Sequence, residues 1–100
     1  MQEINENNFK EAIKEGKVVV DCYADWCGVC KMMKPKVEEV AGKVTDHRFY
    51  MLNVDKCPKA AQELNILNLP TVILYNDGKE VRRGKFEVLA ELEAGNGGNN

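Results

Sequence analysis

The chain has 100 residues, of which 44% are hydrophobic, 30% are charged and four are cysteine. This length suits one domain with one core. The chain has 14 basic and 16 acidic residues, and this balance argues against a surface that binds nucleic acids or anionic membranes. No hydrophobic run approaches the ~20 residues that cross a bilayer. The polar, acidic first residues do not resemble a secretory signal, so a cytoplasmic protein is expected.

The first half of the chain alternates between strand and helix patterns. A short strand at residues 2–4 is followed by a helix that an asparagine at position 7 or 8 can cap. Val18–Val20 begin a continuous β-branched run, which is typical of a strand buried on both faces. From residue 27 to residue 44 hydrophobic side chains recur at steps of three and four, which predicts a helix with a kink at Pro35.

The second half of the chain continues this alternation. Its patterns predict strands at 49–54, 71–75 and 79–83 and short helices at 58–64 and 86–93, with Asn76-Asp77-Gly78 as a hairpin turn. Strands joined by helices are expected to be parallel neighbours, and the hairpin adds an antiparallel edge. The sequence therefore predicts an α/β fold over residues 1–94, with a central mixed β-sheet flanked by helices on both faces. A flexible Gly/Asn tail is expected at residues 95–100.

Cys27 and Cys30 lie where the first buried strand runs into the long helix. Three residues are nearly one helical turn, so the two sulfurs are expected on the same side and within reach of each other. Cys27 would begin the helix, where free N–H groups and the dipole stabilise a thiolate. Cys30 would be less exposed and suited to resolve a mixed disulfide. Trp26 is expected to cover the pair, and Gly28 to leave Cys27 open to a partner chain.

Asp21 is a second candidate, because a charged carboxylate inside a buried strand is costly. Desolvation would raise its pKa toward neutrality, where it could exchange a proton with Cys30. The alternative is a carboxylate at a strand end that water or a helix start satisfies. Leu69-Pro70 directly before a strand is a turn by default, and a cis bond there would be a deliberate feature.

A zinc site is the main alternative for the cysteine pair, since Cys-x-x-Cys is half of many zinc sites. Such a site needs two more ligands, and Cys22, Cys57 and His47 each stand alone. Redox chemistry is therefore favoured, with no metal and no bound cofactor. Cys22 is expected to be a small buried residue, and Cys57 an exposed loop thiol that is either open to oxidation or incidental.

Together these residues resemble the thioredoxin family. Residues 26–31, Trp-Cys-Gly-Val-Cys-Lys, look like its active-site motif, with Asp21 before them and Pro35 after them. Leu69-Pro70-Thr71 matches the family's cis-proline loop, and Gly84 matches the glycine that follows its edge hairpin. The similarity spans residues 2–93 in the family's order of elements, which makes it specific.

The resemblance implies a monomeric protein-disulfide reductase. It would carry electrons from thioredoxin reductase, a flavoenzyme, to client proteins that contain disulfides. Cys27 would attack the client disulfide, Cys30 would release the reduced client, and Asp21 would be the buried acid/base. A shallow groove would hold an extended segment of the client, and its lining would be Trp26, Gly28, Leu69, Pro70 and Gly84.

Several positions depart from the family pattern, among them Tyr23, which replaces a common tryptophan. Val29 stands where proline is common, and its N–H is a further possible donor to the thiolate, which predicts a somewhat less reducing pair. Met51 stands where a lysine often neighbours the buried aspartate. A charge that would lower the pKa of Asp21 is therefore missing at that position.

Two other functions stay open at this point. A disulfide isomerase or oxidant would need an oxidising compartment and a less reducing pair, and the lack of a signal segment argues against it. A docking module of the same fold would leave the dithiol idle. A Cys27→Ser variant separates docking from reduction, since docking would survive and catalysis would not.

Overall fold

A computed structural model describes residues 1–98 of the chain. Within this range the elements, in chain order, are β1 (Gln2–Ile4), α1 (Phe9–Ile13), β2 (Lys17–Tyr23), α2 (Gly28–Lys43), β3 (Arg48–Asn53), α3 (Pro58–Glu63), β4 (Thr71–Asn76), β5 (Lys79–Gly84) and α4 (Phe86–Gly98). The order and type of these elements are those that the hydrophobic pattern predicts. None of the helices in the described range is long and hydrophobic enough to cross a membrane.

The strands of this range form one mixed sheet in the order β1-β3-β2-β4-β5. β3 runs parallel to β1 and β2, whereas β4 is antiparallel to β2 and β5. The prediction that helices join parallel neighbours is confirmed for β2 and β3 and wrong for β3 and β4. A return crossover must span a strand of about 20 Å, and a six-residue helix such as α3 rises only about 9 Å. The chain therefore stays at the edge where β3 ends, and β4 starts there with Thr71 beside Cys22.

Helices cover both faces of the sheet because β2 alternates its side chains between two cores. Val18, Val20 and Cys22 belong to the core that includes Phe9 of α1 and Ala60 of α3. Val19 belongs to the opposite core with residues of α2, its C-cap Val44 and α4, namely Met33, Val37, Val40, Val44, Val88, Leu89 and Leu92. The apolar stripe predicted for the long helix is thus confirmed as its buried face. By the same alternation Asp21 lies on the α2 side.

The hairpin between β4 and β5 has the turn that its sequence predicts. Asp77 and Gly78 have φ angles of 51° and 83°. These left-handed conformations suit aspartate and glycine, and they match the twist of paired strands. The turn is tied to the rest of the fold, since Asp77 Oδ1 accepts a hydrogen bond from the N–H of Gly16 at 2.8 Å.

Helix α4 is longer than the short final helix that the sequence predicts. Val88, Leu89 and Leu92 dock its first turns on the sheet, and the helix continues to Gly98. Once a helix is nucleated, each further residue adds a hydrogen bond at little cost. The stretch predicted as a flexible tail, residues 95–100, is thus helical as far as Gly98, and its last two positions lie outside the described residues.

The two cysteines outside the motif are both unpaired and buried. Cys22 packs in the core, as predicted. The prediction that Cys57 is exposed is wrong, because it lies in the same core and its Sγ is 3.9 Å from the carbonyl oxygen of Ile4. Burial raises the pKa of the Cys57 thiol, which disfavours the thiolate that oxidants attack.

Candidate active site

The Cys27–Cys30 pair lies at the start of α2, at the edge of the sheet where β2 and β3 end. The two residues form a disulfide bond, so the proximity expected from their spacing is confirmed. Cys27 is the N-cap of α2, and its Sγ accepts a hydrogen bond from the N–H of Cys30 at 3.2 Å. The same N–H and the positive end of the helix dipole would stabilise a thiolate on Cys27 after reduction.

The two sulfurs differ in surroundings more than in exposure. Cys27 is 7% exposed and Cys30 is 5% exposed, so the difference in burial is smaller than the sequence predicts. A methyl group placed on Gly28 would meet nothing within 4 Å, which leaves open space beside Cys27 at the helix start. Cys30 instead lines a cavity that also contains Asp21. The arrangement suits attack on an outside disulfide by Cys27 and proton exchange at Cys30.

Asp21 is buried on the α2 side of the sheet, with 2% of its surface exposed. Its Oδ1 atom has no hydrogen-bond partner among the described residues. Its pKa is raised to about 7, by burial first and by repulsion from Glu3 second, against the attraction of Lys34, which lowers it. The cavity between Asp21 and Cys30 has a volume of about 210 Å³. A carboxyl group with this pKa is poised to exchange a proton near neutral pH.

Met51 and Lys34 face this cavity from two different elements. Met51 is the register partner of Asp21 in β3, so the β3 side of the carboxyl is uncharged, as the sequence indicates. Lys34 reaches the cavity from α2. Sequence reasoning missed Lys34, although its position four residues after Cys30 places the two side chains on one face of a helix.

Trp26 forms part of a groove beside the disulfide. Its side chain is 71% exposed, which is much more than expected for a residue that covers the cysteine pair. The indole Nε1 donates a hydrogen bond to Asp55 Oδ2 at 2.7 Å, and this bond fixes the ring. Asp55 follows β3. Its role could not be predicted from the sequence, because a contact between two separate loops leaves no local sequence pattern.

The Leu69-Pro70 segment lies at the same groove. The peptide bond between these residues is cis, so the structure decides between the two sequence-based interpretations. Leu69 lines the groove with Trp26, and it also packs against the cluster that contains Cys27 and Cys30. Pro70 is buried directly before β4. The groove is mostly apolar, with Val54, Ile66 and Leu67 among its lining residues.

Gly84 ends β5 and pairs with Val72, two residues beyond Pro70. A Cβ at this position would overlap the side chain of Glu87 and lie 2.8 Å from Cγ2 of Val88. Glycine therefore lets the start of α4 approach β5 closely. The structure brings Trp26 and Leu69 together in the groove, whereas Gly84 lies against α4.

Among residues 1–98, no group of three or more histidine, cysteine, aspartate or glutamate side chains is placed to hold a metal ion. His47 is far from the cysteine pair in the fold, beyond the C-terminal end of α2. There its Nδ1 lies 2.8 Å from Asp46 Oδ1.

Known proteins are similar to this chain in both sequence and fold. Residues 1–93 match the family model described as Thioredoxin. A thioredoxin of Chlamydia muridarum is 39% identical over 83 residues, which are 83% of this chain and 81% of the relative. Thioredoxin-2 of Saccharomyces cerevisiae is 47% identical over 79 residues, which are 77% of this chain and 76% of the relative.

Solved structures agree with this similarity. The oxidized form of mitochondrial thioredoxin 3 from S. cerevisiae superimposes with a TM-score of 0.84 at 33% identity, over 98% of this chain and 94% of that chain. A thioredoxin of Malassezia sympodialis superimposes with a TM-score of 0.86 at 27% identity, over 96% of this chain and 90% of that chain.

Proposed function

Because the chain belongs to the thioredoxin family and is a thiol-disulfide oxidoreductase with protein-disulfide reductase activity, we propose that Cys27 attacks client disulfides, Cys30 resolves the mixed disulfide and Asp21 accepts the proton of Cys30. The observation that carries this assignment is the cavity lined by both Cys30 and Asp21, a buried residue whose Oδ1 has no hydrogen-bond partner among the described residues.

The reduction of a client takes two exchange steps. In the first, the Cys27 thiolate attacks one sulfur of the client disulfide, and the other client sulfur leaves as a thiolate that takes a proton from water. In the second, Cys30 gives its proton to the Asp21 carboxylate and attacks Sγ of Cys27. The Cys27–Cys30 disulfide forms, the second client sulfur leaves and is protonated, and two electrons have passed from the pair to the client.

The environments of the two cysteines support this division of roles. The helix start at Cys27 stabilises a thiolate, and the space beside Gly28 admits a client. Since the pKa of Asp21 is raised to about 7, the carboxylate form is present at neutral pH and can still accept a proton. The acid formed in the second step returns its proton to water through the same cavity.

The client would lie in the groove beside the disulfide. Trp26 and the exposed Leu67 offer apolar surface there, and Leu69 connects this surface to the cysteine pair. Gly28, Pro70 and Gly84 complete the proposed client surface by the family pattern. Apolar grooves of this kind suit extended segments whose side chains alternate between pockets.

Regeneration of the dithiol requires an electron donor and a reducing compartment. We assign the donor role to a flavoenzyme of the thioredoxin reductase type and the location to the cytoplasm, with the chain acting as a monomer. Cys22 and Cys57 are unpaired thiols, which glutathione and related systems keep reduced in that compartment.

Reduction of insulin disulfides, with dithiothreitol as the electron source, tests the assignment. Cys27→Ser should abolish the activity, and Cys30→Ser should accumulate a mixed disulfide between Cys27 and an insulin chain, detectable by mass spectrometry. Cys57→Ser is the matched control and should retain activity. Substantial reduction by Cys27→Ser, or a mixed disulfide formed through Cys30, would overturn the assigned roles.

A further inference from the structure

Lys85 and Arg83, which flank Gly84, both bind the segment that ends at the cis proline. We call residues 64–70 the groove loop, because residues 66–69 line the groove beside Trp26. Lys85 Nζ donates hydrogen bonds to the carbonyl oxygen of Pro70 at 2.7 Å and to Oδ1 of Asn68 at 2.9 Å. These contacts fix the C-terminal end of the groove loop from the junction of β5 and α4.

Arg83 fixes the other end of the groove loop. Its guanidinium donates to the carbonyl oxygens of Leu64 at 2.8 Å and Asn65 at 2.9 Å. Glu80 orients the guanidinium, since its two carboxylate oxygens accept hydrogen bonds from Nε and Nη2 of Arg83 at 2.7 Å each. Arg83 on β5 and Lys85 directly after this strand thus both reach across to a segment between α3 and β4.

These contacts are suited to holding a loop in one conformation. Hydrogen bonds from a charged donor are roughly twice as strong as neutral ones. Together Lys85 and Arg83 bind carbonyl oxygens at three positions of the groove loop, residues 64, 65 and 70. A binding surface that is already ordered loses less entropy when a partner binds.

We propose that Lys85 and Arg83 are positioning residues for client recognition, which hold the groove loop in the shape that a protein disulfide binds. The inference rests on the proposed function, in which the groove is the client site. Neither cation is hydrogen-bonded to Cys27 or Cys30, so both act on the binding of a protein client and leave the sulfur exchange itself unchanged.

Steady-state kinetics with two substrates of different size test this inference. Insulin represents a protein client, and 5,5′-dithiobis(2-nitrobenzoic acid) is a small disulfide that does not need the groove. Lys85→Met and Arg83→Met should each raise the KM for insulin by about 3- to 10-fold, with kcat and the rate with the small disulfide within twofold of the wild type. Lys85→Arg, which keeps a cationic donor, should recover part of the affinity.

Arg82→Met is the matched control, because Arg82 lies on the same strand and pairs with Glu91 of α4 at 2.8 Å. It should leave the KM for insulin unchanged. Amide hydrogen exchange gives a second readout in the folded variants, and residues 66–69 should exchange faster in Lys85→Met than in Arg82→Met.

An unchanged KM for insulin in both Lys85→Met and Arg83→Met, together with normal reduction by the wild type, would overturn the inference alone. A parallel loss with both substrates would also overturn it, because the cations would then support the whole fold. Failure of the wild type to reduce insulin would overturn the proposed function and this inference with it.

Discussion

Asp21 lies directly opposite Met51 in the parallel ladder of β2 and β3, and both side chains line the cavity that reaches Cys30. A thioether therefore flanks the buried carboxyl on the β3 side. The positive charge that lowers its pKa comes instead from Lys34 on α2. Burial outweighs this attraction, so the carboxyl changes its protonation near neutral pH.

Asp21→Asn should remove a pH-dependent loss of stability. Folding raises the pKa of Asp21 from 3.8 to about 7, so between these values the folded state binds a proton that the unfolded state releases. The free energy of unfolding therefore falls as the pH rises through this window. A tenfold change in proton affinity is worth about 1.4 kcal/mol, which gives a total loss of about 4 kcal/mol.

Urea denaturation of the oxidised protein at pH 5, 6, 7 and 8 measures this effect. The wild type should lose stability relative to Asp21→Asn at each step up to pH 7, and the variant should be the more stable protein at pH 8. Parallel stability curves for the two proteins would mean that Asp21 titrates in its ordinary range.

Lys34→Met should shift the acid limb of the pH–rate profile for insulin reduction to higher pH. Without the lysine charge the pKa of Asp21 rises above 7, and less carboxylate is present to accept the proton of Cys30. For a rise of one unit, the ionised fraction at pH 7 falls from one half to roughly one tenth, and the rate of insulin reduction should fall about fivefold.

A second substitution tests whether the charge of Lys34 causes this shift. In the Lys34→Met background, Met51→Lys returns a positive charge to the cavity from β3 and should restore the profile. Lys31→Met is the control, since Lys31 lines the same cavity without being among the main charges that act on Asp21. If the profiles of Lys34→Met and the wild type coincide, Lys34 has no part in setting the protonation of Asp21.

Val29→Pro should make the cysteine pair more reducing. Val29 is partly exposed at the second position of α2, so a proline ring fits there without displacing a core residue. The substitution removes one first-turn N–H and leaves that of Cys30 as donor to Cys27, which weakens the stabilisation of the thiolate. Equilibration with glutathione at graded ratios measures the potential, and an equal or higher value in the variant would refute this role of Val29.

Gly84→Ala should destabilise the fold by about 1–3 kcal/mol, because the added methyl group overlaps Glu87 and Val88 and pushes α4 away from β5. Gly28→Ala is the matched control, as its methyl group would meet nothing within 4 Å, and a change within about 0.5 kcal/mol is expected. Thermal unfolding of the two variants gives the comparison. Equal melting temperatures would show that the start of α4 adapts to the larger residue.

The sequence predicts those features of the fold that depend on local patterns. Val18–Val20 and the apolar steps of α2 indicate burial directly, because each strand or helix must turn its hydrophobic side chains toward a core. The direction of β4 could not be read in this way. It depends on the length of α3 relative to the strands, and therefore on the geometry of the assembled sheet.

The same distinction between local patterns and long-range contacts holds for the candidate site. Cys27, Cys30 and Asp21 were predictable because their chemistry follows from a helix start and a buried strand. The contacts of Trp26 with Asp55 and of Pro70 with Lys85 were not, since they join residues at least 15 positions apart. These pairs meet only because the strand order brings several loops to one edge of the sheet.

The equilibrium reduction potential of the Cys27–Cys30 pair tests the proposed function most directly. Thioredoxin has a potential of about −270 mV, whereas catalysts of oxidative folding lie between about −180 and −120 mV. We predict a value near that of the family, moved somewhat upward by Val29. A value of about −180 mV or higher would contradict a reductase and would identify the protein as an isomerase or oxidant.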